Sequence, residues 1–271
     1  MRTPIVYLFV PGNRPDRFDK ALNSGADAII VDLEDAVDPS AKALARDAFA
    51  EWFEKNRAQA QQILLRINDA QTADFSRDLE LVRSTGVHGV MLPKTESPEQ
   101  VEMLGSELAP GGFIVPIIES ALGILEGWNI ARARRIARLA FGNLDYAADL
   151  QIAGDARSLA YPSSLLSIIS RAAGLAAPIS GVTPEINDDS KLQEDTLFAR
   201  RFGFGAKLCI HPRQIGLVRQ AFTPTEEEVD WAERVIVAAI AGNSTGAAQL
   251  DGKMIDRPVI LRAQTILQYK K

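Results

Sequence analysis

The 271-residue chain is 46% hydrophobic and 24% charged, a balance that supports one large core and excludes a disordered chain. Its net charge of −5 argues against nucleic acid or an anionic membrane as the main partner, and no apolar run approaches the length of a membrane span. A single cysteine, Cys209, and an N-terminus that enters a strand without a signal-peptide pattern point to a cytoplasmic protein without disulfides.

Residues Ile5 to Val10 are β-branched and aromatic and read as a first strand, broken by Pro11-Gly12-Asn13. Pro15 to Asn23 reads as a helix closed by Gly25. Ala28 to Val31 is a second strand that ends on Asp32-Leu33-Glu34-Asp35, and Ser40 is expected to cap a helix reaching Asn56. Ile63 to Ile67 and Gly89 to Leu92 are further strands, separated by a helix from Asp74 to Ser84 that Gly86 closes. Ser97-Pro98-Glu99-Gln100 is a helix start with proline in the first turn. Phe113 to Ile118 and Leu139 to Phe141 are strands five and six, with a helix from Ala121 between them. Helices at Ser163–Ala172 and Asp189–Arg201 alternate with strands at Ala177–Gly181 and Lys207–Ile210.

A joint recurs in which a helix ends, glycine follows and a strand begins: Ser24-Gly25, Thr85-Gly86, Ala173-Gly174 and Phe202-Gly203. Eight such strand–helix units predict an α/β fold, a (β/α)8 TIM barrel over residues 1–224. A doubly wound open sheet is the alternative, disfavoured by the lack of a GxGxxG motif. Residues 225–271 read as a C-terminal helical extension: a helix from Thr225 to Ala241, a small-residue linker from Asn243 to Gly252, and a last helix begun by Asp256-Arg257-Pro258. Nothing inside a barrel needs this tail, so it is expected to pack on a neighbouring subunit.

If the barrel closes, Asp32, Glu34, Asp35, Arg66, Asn68, Lys94, Glu119, Asp145 and His211 share one rim. The run before Glu119 is apolar at consecutive positions, as in a strand covered on both faces. Acids just past the ends of buried parallel strands sit where such folds place their chemistry. Glu119 and Asp145, with no cysteine or histidine beside them, suit a hard cation such as Mg²⁺. Each has a plainer reading as a helix cap, Glu119 for the helix from Ala121 and Asp145 for a short helix at Tyr146-Ala147-Ala148. Arg66 can fork onto a ligand carboxylate or form a structural salt bridge to the Asp32–Asp35 run, which can itself be a solvated loop. His211 reads as structural and Cys209 as core.

The motifs Leu8-Phe9-Val10-Pro11-Gly12, Asp32-Leu33-Glu34-Asp35-Ala36-Val37, Arg66-Ile67-Asn68, Leu92-Pro93-Lys94, Glu119-Ser120, Phe141 to Leu150, Lys207 to Pro212 and Gly252 to Pro258 occur in an order that resembles the citrate lyase β-subunit-like proteins. These belong with malyl-CoA and citramalyl-CoA lyases and the HpcH/HpaI hydroxy-acid aldolases. The resemblance implies a Mg²⁺-dependent barrel enzyme that cleaves or forms a C–C bond, with Glu119 and Asp145 as metal ligands and Arg66 as the clamp on a substrate carboxylate. Gly142 and the amides around Asn143 and Leu144 would hold that carboxylate, and Asp32, Glu34 and Asp35 would orient metal-bound water. Asp256 matches an acid that enters the site from an adjacent subunit, although it also reads as the cap of the last helix. Family members are usually trimers or hexamers.

Two departures stand out. Ile5 and Val6 occupy places where many relatives carry Arg-Ser, which bears on the CoA or acyl-carrier site. Asp35 stands where the aldolase branch has histidine. The expected reaction is cleavage of a malyl-, citramalyl- or citryl-type thioester to a 2-oxo acid and an acetyl thioester. The alternatives are a metal-dependent aldolase of free hydroxy-oxo acids and a non-catalytic metabolite-binding subunit.

Overall fold

The computed structural model describes residues 3–242 and 249–268. Eight strands form the centre: β1 (Val6–Pro11), β2 (Ala28–Asp32), β3 (Ile63–Arg66), β4 (Gly89–Leu92), β5 (Phe113–Ile118), β6 (Ala140–Phe141), β7 (Ile179–Ser180) and β8 (Ala206–Cys209). They pair in sequence order, all parallel, and β8 returns to β1 with Tyr7 opposite Leu208, so the barrel is closed. An open doubly wound sheet would leave two edges, and this eight-stranded sheet has none. Side chains alternate across each strand. Tyr7, Ile30, Leu64, Met91, Val115, Ile117, Ala140, Ile179 and Leu208 fill the interior, and their neighbours meet the surrounding helices. That double burial explains why the strands read as continuous apolar runs.

The helices are α1 (Phe18–Leu22), α2 (Lys42–Lys55), α3 (Asp74–Thr85), α4 (Pro98–Glu107), α5 (Ala121–Ala131), α6 (Asn143–Asp149), α7 (Ala160–Ala172), α8 (Asp189–Arg201) and α9 (Gln214–Phe222). Before α2 the cap is Asp38 rather than Ser40: its carboxylate accepts from the Ser40 amide at 2.9 Å and opens a 3₁₀ turn over Pro39–Ala41. Gly86 closes α3 at φ +66°, a left-handed geometry that glycine adopts without Cβ strain. The α4 start is a full capping box, Ser97 Oγ accepting from the Gln100 amide and Gln100 Oε1 from the Ser97 amide. Ser97→Ala is therefore expected to lower unfolding free energy by about 1 kcal/mol in a urea titration.

The chain divides into two compact units, 1–219 and 220–271. In the second, α10 (Glu226–Gly242) and α11 (Arg257–Gln268) pack through Ala232, Val235, Ala263 and Ile266. Thr225 and Glu228 cap α10 reciprocally through side chain and amide. The stretch expected to be a linker is in part a hairpin, β9 (Gln249–Leu250) with β10 (Lys253–Met254), while 243–248 lie outside the described residues. Its turn, Asp251-Gly252 with φ +49° and +74°, is the left-handed pair that a two-residue hairpin requires. Among the described residues no helix is long and apolar enough to cross a membrane.

Candidate active site

The carboxyl ends of β2, β3, β4, β5 and β6 bring the acids and cations of one rim together. Glu119 follows β5 directly and is 5% exposed. It does not cap α5: that role falls to Ser120, whose Oγ accepts from the Gly123 amide at 3.1 Å. Glu119 is thus free for other work. Its Oε1 accepts from the Lys94 amide at 2.6 Å. Lys94 holds this pose in the left-handed region, at φ +45°, a strain of roughly 1–3 kcal/mol for a non-glycine residue. On the other side of Glu119 lies Gly142, where an added Cβ would fall 2.2 Å from Glu119 Oε2 and 2.5 Å from its Cβ. Only a hydrogen at Gly142 leaves Oε2 its place.

Burial raises the Glu119 carboxyl to a pKa of about 8, and the charges of Glu34 and Asp145 push the same way; the Lys94 amide and Arg66 oppose them without prevailing. Asp145 lies in the first turn of α6, exposed, and no side chain caps that helix. Gly142 donates its amide to Ile118 O, so it supplies space rather than a donor. The Asn143 side chain donates to Val182 O at 3.2 Å, while its buried Oδ1 has no partner. Among the described residues no three His, Cys, Asp or Glu side chains gather as a metal cluster. A two-carboxylate donor set still fits Mg²⁺, which keeps several waters and binds through one or two carboxylates plus substrate oxygens. The unpaired Oε2 beside Gly142 and the nearby Asp145 charge satisfy that test.

The Arg66 fork faces Asp32, with Nε and Nη2 each 2.7 Å from one carboxylate oxygen. Asp32 also accepts from the amides of Glu34 at 2.9 Å and Ala36 at 3.1 Å, so all its lone pairs are engaged. Nη1 lies 2.8 Å from Glu34 Oε2, an ion pair whose N–H groups are not aimed at that oxygen, which is left without a hydrogen bond. Phe9 stacks beneath the guanidinium, 4.8 Å from it. Burial works against the charge, but Asp32 and Glu34 hold the Arg66 pKa above its ordinary value. Glu34 is itself raised, chiefly by burial, despite Arg66 and the Lys94 ammonium 2.5 Å from its Oε1. Asp35 is the exposed member of the run, 3.9 Å from Lys94 Nζ. Arg66→Lys keeps the charge but loses the fork, and a roughly tenfold fall in kcat/KM is expected from steady-state kinetics.

Sequence reasoning placed Lys94 on the rim without a role; the structure gives it two, at Glu119 and Glu34. It missed Lys42, whose Nζ donates to Leu33 O at 3.0 Å, to Glu34 O at 3.2 Å and to Asn68 Oδ1, pinning the acidic loop to β3. Nothing in local sequence distinguishes Lys42 from a solvated lysine. Asn68 is buried, with its amide and Nδ2 donating to Asp78. His211 Nδ1 accepts from the Arg213 amide at 3.2 Å, a turn contact. Asp256 belongs to the second unit, where its Oδ1 accepts from the Val259 amide at 3.1 Å and caps α11. Ile5 and Val6 lie at the amino end of β1, at the end of the barrel opposite the rim.

Known proteins are similar to this chain over nearly its whole length. A citrate lyase subunit beta-like protein of Mycobacterium tuberculosis is 36% identical over 269 residues, 97% of this chain and 94% of the relative. A (3S)-malyl-CoA thioesterase of Cereibacter sphaeroides is 29% identical over 264 residues, 96% and 92% of the two chains. The crystal structure of CitE from Mycobacterium tuberculosis in complex with magnesium, acetoacetate and coenzyme A superposes with a TM-score of 0.87 at 34% identity, covering 99% of each chain. The profile of the HpcH/HpaI aldolase/citrate lyase group matches residues 6–212, from the start of β1 to the turn after β8. All eight strands and the rim residues lie within that match, and the chain belongs to the HpcH/HpaI aldolase/citrate lyase family.

Proposed function

We propose that the barrel is a Mg²⁺-dependent carbon–carbon lyase that splits a malyl-, citramalyl- or citryl-type thioester into a 2-oxo acid and an acetyl thioester, or joins them. The observation that carries this reading is the rim itself: Glu119 with a free oxygen, Asp145 beside it and a locked Arg66, in a chain similar throughout to a protein crystallised with magnesium, acetoacetate and coenzyme A. Glu119 and Asp145 would hold Mg²⁺, which when bound acidifies a substrate hydroxyl and polarises a carbonyl. Arg66 keeps three N–H groups beyond those given to Asp32, enough to bind the substrate carboxylate, with the Asn143 and Leu144 amides as further donors. Asp32 acts by fixing Arg66, and Glu34 and Asp35 are left to orient water.

In cleavage the hydroxyl proton goes to a base, the C–C bond breaks, and its electron pair passes to the thioester fragment as an enolate. We assign the proton transfer at that carbon to Asp256, delivered by the C-terminal unit of a neighbouring copy in a homotrimer or hexamer. One of its carboxylate oxygens is free of the α11 cap. Exposed Leu122, Leu125 and Trp128 on α5, with Tyr161 and Ile168 on the adjoining α7, support an oligomer. Leu125→Asp is expected to shift the mass measured by light scattering toward the monomer.

Incubation with acetyl-CoA, Mg²⁺ and glyoxylate, pyruvate or oxaloacetate tests the reaction. A new thioester in the mass spectrum is the expected result. Release of intact malate from malyl-CoA would instead place the chain with its thioesterase relative, and turnover of free hydroxy-oxo acids alone would favour an aldolase.

A further inference from the structure

A cavity of about 620 Å³ opens at the amino end of the barrel, the end opposite the rim. Its walls include Tyr7, Leu64, Phe113 and Val115. Its polar lining includes Gln61 and Gln62 at the surface and Arg138, which precedes β6 and is only 3% exposed. Nε donates to Ala177 O at 2.8 Å, Nη1 to Pro4 O at 2.9 Å and to Tyr7 Oη at 3.3 Å, and Nη2 also reaches Ala177 O. Every one of these acceptors is neutral. Among the described residues no carboxylate pairs with Arg138.

Among the described residues, the acid that borders the cavity is Asp27. Its Oδ2 accepts from the Ile5 and Val6 amides at 2.9 Å, and its Oδ1 pairs with Arg219, also in the wall, at 2.9 Å. Asp27 therefore ties the start of β1 to α9 and is not spent on Arg138. A buried cation without a counter-charge is costly, and carbonyl dipoles offset only part of that cost. One N–H on Nη2 remains for another acceptor, and Tyr7 Oη, which accepts from Arg138, keeps its own proton to donate.

We propose that this cavity binds a small organic monocarboxylate, its carboxylate on Arg138 and the Tyr7 hydroxyl and its apolar body against Leu64, Phe113 and Val115. The volume falls within the usual range of small-molecule sites, and the layout, apolar walls with a few convergent polar groups, is theirs too. The site is independent of the reaction proposed above: none of its residues lies on the rim, and it needs no metal.

The test titrates benzoate and 3-methylbutanoate, and their neutral amides, into the full chain in EDTA by calorimetry, so that metal-dependent binding at the rim is silent. Each carboxylate is expected to bind one per chain, with the amide weaker by about tenfold or more. Arg138→Met should abolish binding. Ala176→Trp, at the partly exposed mouth, leaves Arg138 untouched and should abolish it as well, which keeps the test sound if Arg138→Met fails to fold. Equal binding of acid and amide, unchanged affinity in Ala176→Trp, full competition by chloride, or no binding up to about 10 mM would each overturn the assignment.

Discussion

Gly142→Ala is expected to reduce kcat/KM by about ten- to a hundredfold while leaving the barrel folded. The added methyl has no room: it would fall 2.2 Å from Glu119 Oε2 and 2.5 Å from Glu119 Cβ. Glu119 cannot simply retreat, because the Lys94 amide holds its other oxygen at 2.6 Å and Lys94 is itself fixed in a left-handed conformation. The carboxylate must rotate out of its position, and disturbing what positions a metal ligand, the role proposed above for Glu119, typically weakens metal binding by ten- to a hundredfold. The deficit should appear first as a higher Mg²⁺ requirement and be partly recovered at high Mg²⁺. A deficit in kcat that is the same at all Mg²⁺ concentrations would separate Gly142 from the metal site. Circular dichroism should show a melting midpoint within a few degrees of the parent, since Gly142 precedes a short surface helix.

The barrel was legible in the sequence because its signals are local and repeat. Glycines after helices, such as Gly86 and Gly203, occupy left-handed positions in the structure, and the strand runs are apolar on both faces. The short elements were harder to read. Helix α6 has glycine at its N-cap and no capping side chain, so its start at Asn143 carries no sequence signature. In the site, the identities of the rim residues could be listed from strand ends, but their pairing could not. Whether Arg66 forks onto Asp32 or onto a ligand depends on the register that sets Asp32 opposite Arg66 across β2 and β3, a tertiary fact. The same holds for Lys42, which reaches the acidic loop and Asn68, and for Gly142, whose missing Cβ matters only because β5 and β6 are neighbours. Composition marks none of these.

Magnesium affinity is expected to fall roughly tenfold for each pH unit below about 8, with close to one proton released per ion bound. Burial raises Glu119 to a pKa of about 8, so the metal-free protein near neutral pH carries it largely protonated, and the ion must displace that proton to use the carboxylate. Stability follows with a defined sign. The unfolded chain releases this proton near the ordinary glutamate value of about 4.3, whereas the folded chain holds it up to about 8. Between those values the native state binds more protons, so the metal-free protein loses stability as pH rises, by up to about 1.4 kcal/mol per unit from this group. Glu119→Gln should flatten that slope while removing the proton release. Calorimetry in two buffers of different ionisation enthalpy counts the proton directly. An affinity that stays constant from roughly 1.5 pH units below the shifted pKa of about 8 to half a unit above it would mean that Glu119 is already ionised in the folded protein. The cost of burying that charge would then have to be offset by something other than the ion.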